Sequence, residues 1–196
     1  MIYIGIDPSL NSTGICINVD GNCKYYIITS KMTKKMKDFK NEYIQYLPYE
    51  KEDTNKKLNE YADVEFNKAH NIYNICVRVK QVIKENVEWY AGDNINNCEV
   101  FMEGVSYGSL GSAALVDLSG LNFAIRNVLI ELGVKFTIVS PSQNKKFATG
   151  LGNADKEHMI FSWLMIEKHL KEIKDIKIDD LADAYFLSNY YKAKMD

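Results

Sequence analysis

Apolar residues open the chain in short β-branched runs rather than in helical periods. "IYIGID" and "TGICINVD", followed by "GNCKYYIITS", predict three strands. Turn formers after Asp7 and the Asp20-Gly21 pair separate them, so the three read as an antiparallel meander. From Lys31 to about Asn55 the pattern dissolves into Lys, Tyr, Glu and Asn with one Pro, which reads as an insertion or mobile flap. Helical spacing takes over from about Tyr61 to Val87, through Ile72, Ile75, Cys76, Val79 and Ile83. "CEVFMEGV" is a short buried strand, and "SYGSLGSAA" opens a second helix that reaches Leu132 and stops at Gly133. "VKFTIVSP" is a further strand. A Lys/Gly-rich stretch, "SQNKKFATGLGNAD", leads into a helix from about Lys156 to Leu170, and "IDDLADAYFLSNYY" closes the chain as an amphipathic helix. The order β-β-β-α-β-α-β-α-α predicts an α/β fold, a mixed sheet flanked by helices.

Composition narrows the class. A chain of 196 residues with 46% hydrophobic residues supports one core, read as a single domain over 1–196 with the insertion at about 31–55. A formal charge of −2 excludes a histone-like positive coat and leaves room for local basic patches. Lysines number 22 against two arginines, point charges suited to phosphate more than to bidentate base reading. The four cysteines are scattered without a C-x-x-C pair, and no secretory leader is read, which predicts reduced thiols and a cytoplasmic protein rather than a disulfide frame or zinc site. No apolar run of membrane-spanning length is read, so no membrane association is expected.

The acids carry the chemistry. Asp7 ends the first strand and is followed by Pro, Ser, Asn, Ser, Thr and Gly, and Glu103 likewise ends the strand "VFM". Asp180 and Asp183, three apart near the start of the last helix, project from one face, with Asp179 about 100° away from Asp180. Each has an ordinary alternative: Asp7 as a turn former, Asp180 as an N-cap with Asp183 at the third helical position. A carboxylate after a buried strand is costly unless it is paired or binds metal, which singles out Glu103. Four such acids on two strand ends and one helix face suit oxygen-liganded Mg²⁺ or Mn²⁺ and the needs of a two-metal phosphodiester hydrolase.

"IGIDPSLNSTG", "FMEGVSYGS", "VSPSQNKKFATGLGNADKEHM" and "DDLADAYFLS" resemble the successive motifs of RuvC-type Holliday junction resolvases, within the RNase H-like superfamily. The resemblance covers Met1 to about Tyr190 apart from the insertion. It implies an RNase H-like fold with a five-stranded mixed sheet, the first three strands antiparallel. It matches Asp7, Glu103, Asp180 and Asp183 to the four catalytic, metal-binding acids, and Lys145 and Lys156 to lysines at the scissile phosphate and DNA backbone. Lys156 is thereby a catalytic as well as a DNA-contacting residue, and Lys146, next to Lys145, joins the DNA-binding set. Ser9 stands where the family usually has Gly. Ser106 stands where it has a base-stacking aromatic, the ring coming one residue later at Tyr107. With the Lys/Asn-rich composition, these departures suggest a phage or viral resolvase.

The resemblance implies two Mg²⁺ ions per active site, replaceable by Mn²⁺, bridged by Asp7 and completed by the other three acids. It implies a homodimer whose second helix, from about Ala113 to Leu132, forms the interface and whose paired sites nick a four-way junction, with no small-molecule substrate. Five lysines in "SKMTKKMKDFK", among them Lys34 and Lys35, form either a second phosphate-contacting stripe or a solvated face. Two rival classes remain: an actin-like or sugar-kinase-type ATP phosphotransferase fragment, which shares the Asp-then-Ser/Thr/Gly opening, and a non-catalytic branched-DNA-binding protein.

Overall fold

The computed structural model describes residues 1–55, 60–92, 94–105, 111–171 and 179–194. Strands β1 (Ile2–Asp7), β2 (Ser12–Val19) and β3 (Asn22–Thr29) form the expected antiparallel meander. β5 (Cys98–Glu103) runs parallel to β1, and β6 (Lys135–Val139) runs parallel to β5. The sheet has six strands in the order β4-β3-β2-β1-β5-β6, one more than expected. The addition is β4 (Ile44–Pro48), parallel to β3 and reached through a short helix α1 (Lys34–Asp38). The segment read as an insertion or flap is therefore part of the sheet. Its signal is small: the strand has five residues, of which only Ile44 is buried.

Period-2 alternation sets which face each side chain takes. Ile2, Ile4 and Ile6 of β1, with Val100 and Met102 of β5, enter the core beneath α2 (Tyr61–Ala91) and α3 (Ser112–Glu131). Tyr3, Gly5 and Asp7, like Phe101 and Glu103, take the other face. There α4 (Pro141–Thr149), α5 (Lys156–Ile166) and α6 (Asp179–Ser188) pack over Cys16, Tyr25 and Ile27, with Trp163 donating to the Tyr25 hydroxyl at 3.1 Å. Both strand-end acids thus face α6 because they fall in step with the polar alternation of their strands.

Two further corrections concern helices. The expected Lys/Gly-rich connector contains α4, started by Pro141 and a capping box between Ser140 and Gln143. The helix expected over Lys156–Leu170 ends at Ile166, and a 3-10 turn covers Lys168–Leu170. α3 also revises the membrane expectation. Ala113–Glu131 is long and apolar enough to cross a membrane, and 22% of it is buried. Leu121, Ile125 and Leu129 are fully buried, whereas Val116, Phe123 and Ile130, spaced by seven, form one exposed apolar face.

The chain beyond β4 is fastened along α2. Asn67, Asn71, Asn74 and Arg78 share one helix face and bind the main chain of Asp53, Glu52, Glu50 and Pro48 over 2.7–3.2 Å. Asn71 also accepts from the Glu52 amide at 2.8 Å. Tyr49 then reaches the turn after Asp7, donating to the Leu10 carbonyl at 3.0 Å.

Candidate active site

The turn after Asp7 is built to stay put. Thr13 Oγ1 accepts from Ser9 N–H at 3.1 Å and donates to the Ser9 carbonyl at 2.8 Å, while Thr29 Oγ1 donates to the Asn11 carbonyl at 3.0 Å. The turn-former reading of this stretch is correct as far as it goes. The strand pairing places Asp7 opposite Gly14 and Ile6 opposite Met102, so Asp7 and Glu103 end adjacent parallel strands side by side.

α6 reaches them because two glycines let it. A Cβ on Gly5 would lie 1.9 Å from the Ala184 carbonyl oxygen, and one on Gly14 would lie 2.4 Å from that of Asp180. No side chain fits at either place, so the first turns of α6 rest on β1 and β2 backbone beside Asp7. The helix begins at Asp179, which puts Asp180 in its first turn rather than at an N-cap. These glycines were not singled out from the sequence, although an isolated Gly inside a strand is a known mark of close backbone approach.

The four acids act on one another's charge. Burial, then the charges of Glu103, Asp183 and Asp180, push Asp7 well above the usual carboxylate range. Burial also raises Glu103, opposed by a hydrogen bond from Asp7 and by the charge of Lys145. Asp183 is pushed up to about 7 by burial and by Glu103 and Asp180, with Lys145 and Lys156 pulling the other way. Lys145 on α4 thus acts on the acids through its charge, and Lys146 beside it is exposed. Lys156 is 75% exposed and bonds Asp179 Oδ2 at 2.6 Å. That bond, against some burial, raises Lys156, helped by Asp180 and Asp183. For Asp179, burial alone would raise the carboxyl, and the Lys156 pairing holds it below its ordinary value.

Two buried asparagines hold the acids' backbone. Asn122 of α3 donates to the Glu103 carbonyl at 2.8 Å, and Asn144 of α4 donates to the Asp183 carbonyl at 3.3 Å. Neither had a sequence signal beyond being a polar residue within an otherwise helical stretch. Gly150 ends α4 with φ 82°, and Gly152 packs on the Ser142 carbonyl. Lys34 and Lys35 lie on α1, at the other side of the sheet from β5. Tyr107 and Ser106 lie outside the described residues.

The donor set is all oxygen. Among the described residues, no group of three His, Cys, Asp or Glu is clustered tightly enough to hold an ion as it stands. Burial and mutual repulsion raise the Asp7 and Asp183 carboxyls, and burial raises Glu103. The chemistry fits a hard divalent cation, whose charge would stabilise all four carboxylates at once. The four cysteines are buried and free, with no zinc-like grouping among the described residues.

Solved structures share this arrangement of strands and helices. A Thermus thermophilus RuvC structure superposes with a TM-score of 0.58 at 19% identity, covering 100% of this chain and 96% of that one. This is the RuvC-type, RNase H-like fold. T. thermophilus RuvC in complex with a Holliday junction substrate gives the same TM-score at 20% identity, with 100% and 96% coverage. The yeast mitochondrial Holliday junction resolvase Ydc2 superposes less closely, with a TM-score of 0.51 and 12% identity over 94% of this chain and 75% of that one. No protein-family model matches the sequence, and no curated protein matches it. The RuvC fold is thus visible in three dimensions where overall sequence similarity has fallen away.

Proposed function

We propose that the protein is a metal-dependent endonuclease that resolves four-way DNA junctions by paired nicking as a homodimer. One observation carries this reading: Asp7, Glu103, Asp180 and Asp183 meet on one face of a RuvC-type sheet with Lys145 turned towards them. Neighbours of the same fold are named as Holliday junction resolvases, one of them bound to a junction. A binding module would gain nothing from clustered negative charge facing phosphates.

Asp7 and Glu103 would hold the cation from the strand ends, with Asp180 and Asp183 supplying oxygens from α6. When bound, Mg²⁺ or Mn²⁺ supplies a Lewis acid and an activated water at the scissile phosphodiester. The chain's own part is positional and electrostatic. Lys145 and Lys156 meet the phosphate's negative charge, which grows as the bond breaks. Asp179 keeps Lys156 protonated and aimed. Gly5 and Gly14 fix the distance between the strand-end acids and the helix acids.

The exposed face of α3 supports the dimer reading. Val116, Phe123 and Ile130 are 68%, 55% and 65% exposed, and beside them a groove of about 500 Å³ runs between α2 and α3 past Tyr73 and Val77. Exposed apolar residues spaced by seven form a helix-pairing seam. A second copy would cover it and double the active site, as two opposed nicks require. Incubation with synthetic four-way junction, flap and duplex DNA, each with Mg²⁺ or EDTA, tests the proposal. Symmetric nicks in the four-way junction, in Mg²⁺ alone, are the expected result.

A further inference from the structure

A second concentration of positive charge lies away from the acids. α1 and the turn after it cover a cleft of about 630 Å³ at the β3–β4 side of the sheet, lined by Lys24, Lys37, Lys40, Phe39, Tyr43 and Tyr46 among others. Residues 31–46 carry five lysines against two acids in a chain whose formal charge is −2. α1 buries none of its residues, so packing does not account for its lysines.

The rings in the cleft are seated before any ligand arrives. Phe39 and Tyr46 meet edge to face at 5.9 Å, and Tyr43 meets His169 at 4.4 Å while staying 37% exposed. Asn41 Oδ1 accepts from the amides of Tyr43 and Ile44 at 2.8 and 3.1 Å, and the Tyr43 carbonyl accepts from Tyr25 N–H at 2.7 Å. The asparagine ladder on α2 fastens the chain beyond β4.

We propose that this cleft seats one unpaired DNA strand, its phosphates on Lys24, Lys37 and Lys40 and a base against Tyr43. Flexible ammonium groups suit phosphate, and aromatic rings stack any base face presented to them. A duplex keeps its base faces inside the stack, so the rings select an unpaired strand such as one leaving a branch point. The identity of that strand rests on the nuclease reading. The binding chemistry does not.

The test is fluorescence anisotropy in EDTA with labelled oligo-dT and a duplex of equal length, on wild type, a Lys37→Ala/Lys40→Ala double variant and Tyr43→Ala. All three side chains are exposed, and a thermal melt checks that each variant is folded. Lys80→Ala, whose partner is Glu131 on the far side of the sheet, controls for lost charge. The expected result is oligo-dT binding weakened about tenfold by Tyr43→Ala. The double variant flattens the log–log salt dependence by about 1.4, while duplex binding changes little and Lys80→Ala matches wild type. Oligo-dT affinity unchanged in both cleft variants overturns the proposal, as does equal weakening by Lys80→Ala. Junction cleavage by the wild type, run alongside in Mg²⁺, separates the two readings. Cleavage with unaltered oligo-dT binding removes the cleft and keeps the nuclease. Lost oligo-dT binding in the cleft variants of a chain that cuts no junction keeps the cleft and removes the nuclease.

Discussion

Replacing Asp183 with asparagine is expected to stabilise the metal-free protein, the opposite of what most substitutions near a core do. The carboxyl is pushed up to about 7 from an ordinary 3.8 by burial and by Glu103 and Asp180. An acid whose folded pKa is raised costs stability above its unfolded value, and the cost is complete once pH exceeds the folded value. At 1.36 kcal/mol per pH unit, the penalty reaches a ceiling of about 4 kcal/mol at pH 8 and falls to about 2 kcal/mol at pH 5. Asparagine has nearly the same shape and no charge, and the bond from Asn144 to the residue 183 carbonyl is to the main chain and survives. A chain of this size gains about 2–4 °C in Tm per kcal/mol, so Asp183→Asn should melt up to about 8–16 °C higher at pH 8 in EDTA. Thermal unfolding followed by circular dichroism at pH 8 and pH 5 measures it. The advantage should shrink by about half at pH 5. A variant no more stable than wild type at pH 8, or an advantage independent of pH, would refute the shared-field account of these acids.

Gly14→Ala should lift the start of α6 away from Asp7. Junction cleavage should fall at least a hundredfold and the rise in Tm on adding Mg²⁺ should be lost, measured by nicking assay and thermal shift; near-wild-type values would show that α6 need not approach so closely. Phe123→Glu places a charge in the exposed α3 seam, and sedimentation should shift from dimer to monomer at micromolar concentration while paired cuts give way to single nicks. Lys145→Ala and Lys156→Ala should each flatten the salt dependence of junction binding by about one unit and slow cleavage more than they weaken binding. Unchanged binding and cleavage across a salt titration would reduce α4 and the start of α5 to connectors.

The strand-end acids were legible in the sequence because a carboxylate directly after a β-branched run has few ordinary reasons to be there. The meander was legible from the Asp20-Gly21 turn and the alternation around it. β4 was not, since five residues with one buried side chain fall below what periodicity can resolve. α4 escaped for a different reason: its lysines and the glycines after it read as connector, though Ser140-Pro141 and Gln143 spell a helix start. Least visible were contacts made by main chain or by side chains reaching main chain. Gly5, Gly14, Asn122, Asn144 and the ladder from Asn67 to Arg78 act on partners remote in sequence, and single-residue chemistry does not name such partners.

Asp7, Glu103, Asp180 and Asp183 are proposed to form one metal-dependent phosphodiester-cleaving site for branched DNA. This is tested most directly by assaying wild type, Asp7→Asn, Glu103→Gln and Asp183→Asn on a labelled four-way junction, with cleavage in Mg²⁺ and binding in EDTA measured on the same preparations. The account predicts symmetric nicking by the wild type in Mg²⁺ and none in EDTA. Each variant should lose cleavage while binding the junction as tightly as wild type or more tightly, because a negative charge facing phosphate has been removed. Wild-type cleavage by any of these variants, or cleavage that persists in EDTA, would contradict it.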